Sequence, residues 1–73
     1  MLHVSYTCTA INAWTRIRDA LEQQGMAGIV PTNPKLDRST WHFETWIDGM
    51  PPQQELALLV MFVDDEEIDI RPA

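Results

Sequence analysis

Leu2-His3-Val4-Ser5-Tyr6-Thr7-Cys8, running into Thr9-Ala10-Ile11-Asn12-Ala13-Trp14-Thr15-Arg16-Ile17-Arg18-Asp19-Ala20-Leu21, decides the fold, because the hydrophobic period changes inside it. In the first stretch Leu2, Val4, Tyr6 and Cys8 alternate with His3, Ser5 and Thr7, the repeat of a strand with one face on a core. From Ala10 the period lengthens. Ala10, Ala13, Trp14, Ile17, Ala20 and Leu21 fall on one helical stripe, while Asn12, Arg16, Asp19 and Gln23 lie opposite. Thr9 is the expected N-cap and Gly25 the expected stop.

Working outward, Ala27 to Val30 is a short apolar stretch that reads as a second strand. Pro31 confines it to an edge, since proline cannot donate to a ladder. Residues 31–38, with Asn33-Pro34, read as a loop. Thr40 to Ile47 alternates again, with Trp41, Phe43, Thr45 and Ile47 on one side and His42, Glu44 and Trp46 on the other. Gly49 ends that strand, and Pro51-Pro52 ahead of Gln53-Gln54-Glu55 opens a second helix, where a missing N–H is harmless. Its expected inward stripe is Leu56, Leu59, Val60 and Val63, with Leu58, Met61 and Phe62 off it. Periodicity alone also permits a buried strand over Leu56 to Val63. Glu66 to Arg71 alternates Ile68 and Ile70 with charged residues, a last strand.

The order β-α-β-β-α-β is the split βαβ of ferredoxin-like α+β folds. It implies a four-stranded antiparallel sheet with two helices on one face, in a single domain over residues 1–73. The expected core is Val4, Tyr6, Trp14, Ile17, Leu21, Trp41, Phe43, Leu56, Leu59, Val60 and Ile68. The first and third strands are central neighbours, so His3, Ser5 and Thr7 should lie beside His42, Glu44 and Trp46 on the uncovered face.

Composition narrows the function classes. A chain of 73 residues has room for one core. Its single cysteine, Cys8, allows no internal disulfide and favours a reducing compartment. The start Met1-Leu2-His3-Val4-Ser5 lacks the basic, long-apolar character of a secretory signal. The longest apolar run, Leu56 to Val63, is far short of the ~20 residues a membrane-spanning helix needs. The expected location is the cytoplasm. With 11 acidic against 5 basic residues and a net charge of −6, nucleic acids and anionic membranes are disfavoured as partners. Asp64, Asp65, Glu66, Glu67 and Asp69 crowd together near the end of the chain. They read either as a solvated turn or as an anionic patch that docks on a basic protein.

Val4-Ser5-Tyr6, Leu36-Asp37-Arg38-Ser39-Thr40-Trp41 and Asp64-Asp65-Glu66-Glu67-Ile68-Asp69-Ile70 together resemble the small ferredoxin-like proteins related to the CRISPR-associated adaptation endonuclease and virulence-associated protein D. The resemblance implies a homodimer and, in members that cut nucleic acid, a metal-holding carboxylate at the end of the first strand. Thr7 stands at that position, and a neutral hydroxyl is a poor substitute for a carboxylate on a hard cation.

His3, His42 and Glu44 form a metal-compatible set if they meet on the open face, although three or four converging ligands are normally needed. Cys8 with a histidine is a conceivable nucleophile and base, but an inward cysteine on a strand more often packs as a small hydrophobe. No phosphate loop, nucleophile elbow or zinc spacing occurs. Trp46 points outward and is a natural interface anchor. The sequence therefore yields no catalytic, cofactor-binding or metal residue. It points to a non-catalytic interaction protein that binds a protein partner through Trp46, Glu44, His42, Asp64, Asp65, Glu66 and Glu67 and associates with itself. The partner expected is a basic nucleic-acid-processing enzyme, as for a phage or mobile-element inhibitor. The alternative is a metal-dependent ribonuclease that uses Glu44, His42 or the acidic segment.

Overall fold

The computed structural model describes residues 1–73. Strand β1 (Leu2–Thr7), helix α1 (Ala13–Gln23), strands β2 (Lys35–Asp37) and β3 (His42–Ile47), helix α2 (Pro52–Met61) and strand β4 (Ile68–Pro72) follow in that order. The sheet runs β2-β3-β1-β4 with every neighbouring pair antiparallel, which is the ferredoxin-like α+β arrangement. No helix is long and apolar enough to cross a membrane.

The alternation in β1 and β3 sets the two faces. Leu2 pairs with Ile47, Val4 with Thr45 and Tyr6 with Phe43, and β4 places Ile70 beside Val4 and Ile68 beside Tyr6. These side chains meet Ala13, Ile17, Ala20 and Leu21 of α1 and Leu58 of α2 in one core. Thr45 is the one polar group fully inside. Its hydroxyl donates to the Thr32 carbonyl and lies 3.2 Å from the Thr32 hydroxyl, so its burial leaves nothing unpaired.

Helix α1 begins later than the expected Thr9 cap. Residues 9–12 form a turn, and Asn12 enters the helix in the left-handed region at φ 59°, a conformation asparagine tolerates. The helix stops as expected at Gly25. With φ +72°, Gly25 donates to the Glu22 carbonyl at 2.9 Å and Met26 to the Leu21 carbonyl at 2.9 Å, the paired bonds of a Schellman motif.

Four expectations are corrected. The second strand is Lys35–Asp37 and not Ala27 to Val30, where the chain turns instead and the Ile29 amide donates to the Met26 carbonyl at 3.0 Å. Trp41 is not in the core. It closes the β2–β3 hairpin at φ 56°, which breaks the alternation one residue before β3 and leaves it 59% exposed. Cys8 lies past the end of β1 and is exposed, not inward. Finally α2 is rotated from the expected stripe. Leu58 and Phe62 are buried and Leu59 is half-buried, while Leu56, Val60 and Val63 are 62%, 63% and 73% exposed.

Both edges of the sheet are short. Edge strand β2 has three residues and follows Pro34, and β4 alternates Asp69 and Arg71 before ending at Pro72.

Candidate functional site

Both helices pack on the Leu2–Val4–Tyr6 side, so the opposite face of the sheet is open, and the strand register builds it in three rows. Arg71, His3 and Trp46 form the first, Asp69, Ser5, Glu44 and Lys35 the second, and Thr7, His42 and Asp37 the third. Trp46 is half-buried there, its ring tilted 49° against that of His3 with centroids 5.1 Å apart. His3, the expected neighbour of Trp46, also holds Glu44 through Nε2–Oε1 at 3.3 Å. Asp69 accepts from Arg71 Nε at 2.8 Å. The ion pair of this face thus runs along β4, while Glu44 meets the His3 ring.

His42 occupies the far row, with Nδ1 2.8 Å from the Thr40 carbonyl. His3 and His42 therefore do not approach each other as a pair. They stand two rows apart on the same face, a separation of ~13 Å at ~3.3 Å per residue along a strand. A shallow polar concavity of about 240 Å³ lies between them, lined by His3, Ser5, Asp37, Thr40, His42 and Glu44. No three histidine, cysteine or carboxylate side chains converge as metal ligands would. Asp37 is occupied in its turn. Its Oδ1 accepts from the Ser39 hydroxyl at 2.7 Å and the Ser39 amide at 2.9 Å, and these bonds hold its carboxyl below the usual range.

The acidic segment divides on inspection. Asp65 turns inward and accepts from the Glu67 and Ile68 amides, each at 2.9 Å, capping the entry to β4. It also pairs with Arg16 of α1, whose Nη1 lies 3.4 Å from Glu67. Burial raises the Asp65 carboxyl, but the two amides and the guanidinium outweigh it, so its pKa lies below the usual value. Asp65 is thus a structural clasp, and Glu67 shares its cation. Asp64 and Glu66 remain exposed and make no hydrogen bond or ion pair. Of the residues expected to meet a partner, Trp46, Glu44 and His42 share the open face, whereas only Asp64 and Glu66 of the acidic run are free.

Trp41 is a candidate that sequence reading assigned to the core. Its bulky side chain in the left-handed region, at a cost of about 1–3 kcal/mol, is a conformation rarely held without reason. The Asp37-Arg38-Ser39-Thr40 stretch before it carries the signal, an aspartate placed to bond the backbone two residues on and open a turn.

No family model matches the chain, and no curated protein or solved structure matches it either. The likeness to the ferredoxin-like nuclease-related families rests on the sequence stretches quoted above. Thr7, at the end of β1, has its hydroxyl 3.5 Å from that of Thr9.

Proposed function

We propose that this chain is a non-catalytic interaction protein that receives a protein partner on its open sheet face. One observation carries the reading: Trp46 stands half exposed on a face no helix covers, its ring braced by that of His3 in the row that also holds Arg71. A braced aromatic loses little rotamer freedom on contact, a property of an interface anchor. Asp64 and Glu66, with the net charge of −6, favour a basic partner by steering. A basic nucleic-acid-processing enzyme has that character, and the size and charge suit an inhibitor from a phage or mobile element. A cytoplasmic setting fits a chain whose one cysteine is exposed and unpaired.

The test compares wild-type protein with a Trp46→Ala variant, both immobilised, against native-host lysate, followed by binding measurements on the purified captured partner. Trp46→Ala should weaken binding by about 2 kcal/mol or more, roughly thirty-fold, while the unfolding transition stays in place. A partner held equally by both proteins refutes the sheet face as the docking surface. Cleavage of RNA in Mg²⁺ or Mn²⁺ that survives re-purification and vanishes in Glu44→Ala establishes the ribonuclease reading instead.

A further inference from the structure

The connection from β3 to α2 places a nucleophile beside an electrophile. Of the six aspartates, only Asp48 precedes a glycine; the others precede Ala20, Arg38, Asp65, Glu66 and Ile70. Asp48 and Gly49 follow the end of β3 at Ile47, both are exposed, and neither belongs to a helix or strand. The Gly49 amide donates to Oδ1 of Asp48 at 2.8 Å, so its nitrogen lies against the carboxyl group of the residue before it. A Cβ at residue 49 would meet nothing within 4 Å, and the space around that nitrogen is open. From this geometry we infer that Asp48–Gly49 is a site of spontaneous covalent modification, at which the aspartate isomerises to isoaspartate through a cyclic succinimide.

The reaction needs only water. The Gly49 nitrogen forms a bond to Cγ of Asp48 in its acid form, and the amide proton leaves with the carboxyl hydroxyl as one water molecule. Water then reopens the cyclic imide at either carbonyl. Attack at Cγ breaks the new bond and restores aspartate. Attack at the backbone carbonyl breaks the original peptide bond instead, leaving the chain to run through Cγ with a free α-carboxylate. Nothing is oxidised or reduced, and the water lost is regained. Glycine suits the step because no side chain crowds its nitrogen, and the hydrogen bond keeps the two groups close.

The neighbours set the consequence. Ile47 and Met50 are both buried in the core, and Pro51 caps α2. Isoaspartate lengthens the backbone by one carbon between these anchors, and a close-packed interior has little freedom to absorb it. The modified chain is therefore less stable than its parent. This inference does not rest on the docking role proposed for Trp46.

Incubating the folded protein for several weeks in neutral buffer, then mapping its peptides by electron-transfer fragmentation, which tells isoaspartate from aspartate, tests it. Isoaspartate should accumulate at residue 48 and at none of the other five aspartates. Asp48→Asn should form the same product faster, since its amide closes the same ring with loss of ammonia. Asp48→Glu should abolish it, because the longer side chain closes a larger, less favoured ring. Both variants keep an exposed polar side chain and should unfold like the wild type. The isomerised chain, separated by chromatography, should unfold at a lower temperature than its parent. Folded protein that gains no isoaspartate at residue 48 overturns the inference, whether or not the chain isomerises in urea. Equal accumulation at another aspartate, or an unchanged rate in Asp48→Glu, overturns it as well. An isomerised chain as stable as its parent overturns the constraint assigned to Ile47 and Met50.

Discussion

Replacing Leu58 and Leu56 one at a time by alanine separates two orientations of α2 that the sequence alone leaves equivalent. Leu58 is fully buried against the sheet, and Leu56 is mostly in solvent. Truncating a buried leucine costs about 2–5 kcal/mol, the lost transfer energy plus that of the cavity left behind. Native stability of ~0.05–0.15 kcal/mol per residue gives a chain of this length roughly 4–11 kcal/mol in all, so Leu58→Ala should remove a large share of it. At ~4–8 °C per kcal/mol for a domain of this size, the thermal midpoint should fall by at least about 8 °C. Leu56→Ala removes a side chain that solvent already reaches, and should stay within about 0.5 kcal/mol of wild type. Urea unfolding followed by far-ultraviolet circular dichroism reads both, with an unchanged slope confirming that the variants unfold from the same compact state. A Leu56→Ala loss equal to or greater than that of Leu58→Ala would refute this orientation of the helix.

Trp41→Gly should be neutral or stabilising by up to about 1 kcal/mol, since relief of the left-handed conformation offsets the entropy glycine adds to the unfolded chain; a loss of 2 kcal/mol in urea unfolding would mean that the ring packs. Because the Asp65 carboxyl is held below its unfolded value of 3.8, its contribution is present above that value and is lost as pH falls through the lower folded one. Acid unfolding of Asp65→Asn should therefore lack part of the wild-type decline below about pH 4, and superimposable acid limbs would rule out the clasp.

Where sequence and structure agree, periodicity had one solution. The alternation in β1 and the stripe of α1 each set polar against apolar residues, so Ala13, Ile17, Ala20 and Leu21 went inward, although Trp14, expected in the core, is only half-buried and lies outside it, and the same contrast put His42, Glu44 and Trp46 on the open face. Helix α2 offered no such contrast. Leu56 to Val63 is apolar throughout, so several registers bury a similar surface and tertiary packing chose Leu58 and Phe62. Trp41 was misread because one left-handed residue resets the alternation, and the only local sign of it is the turn that Asp37 opens. The role of Asp65 depends on Arg16, 49 positions away in the chain, so no local pattern could separate it from Asp64 and Glu66.

The short edges of the sheet bear on how this protein avoids fibrillar growth. A row of free N–H and C=O groups invites a strand from another molecule, and a small chain with an uncovered sheet face is exposed to that hazard. Here one rim offers three residues behind a proline, and the other alternates Asp69 with Arg71 and stops at Pro72. An incoming backbone would gain few hydrogen bonds at either rim before meeting a charge or a missing donor. Backbone pairing at either rim is thereby disfavoured, and contact between molecules falls to side-chain surfaces.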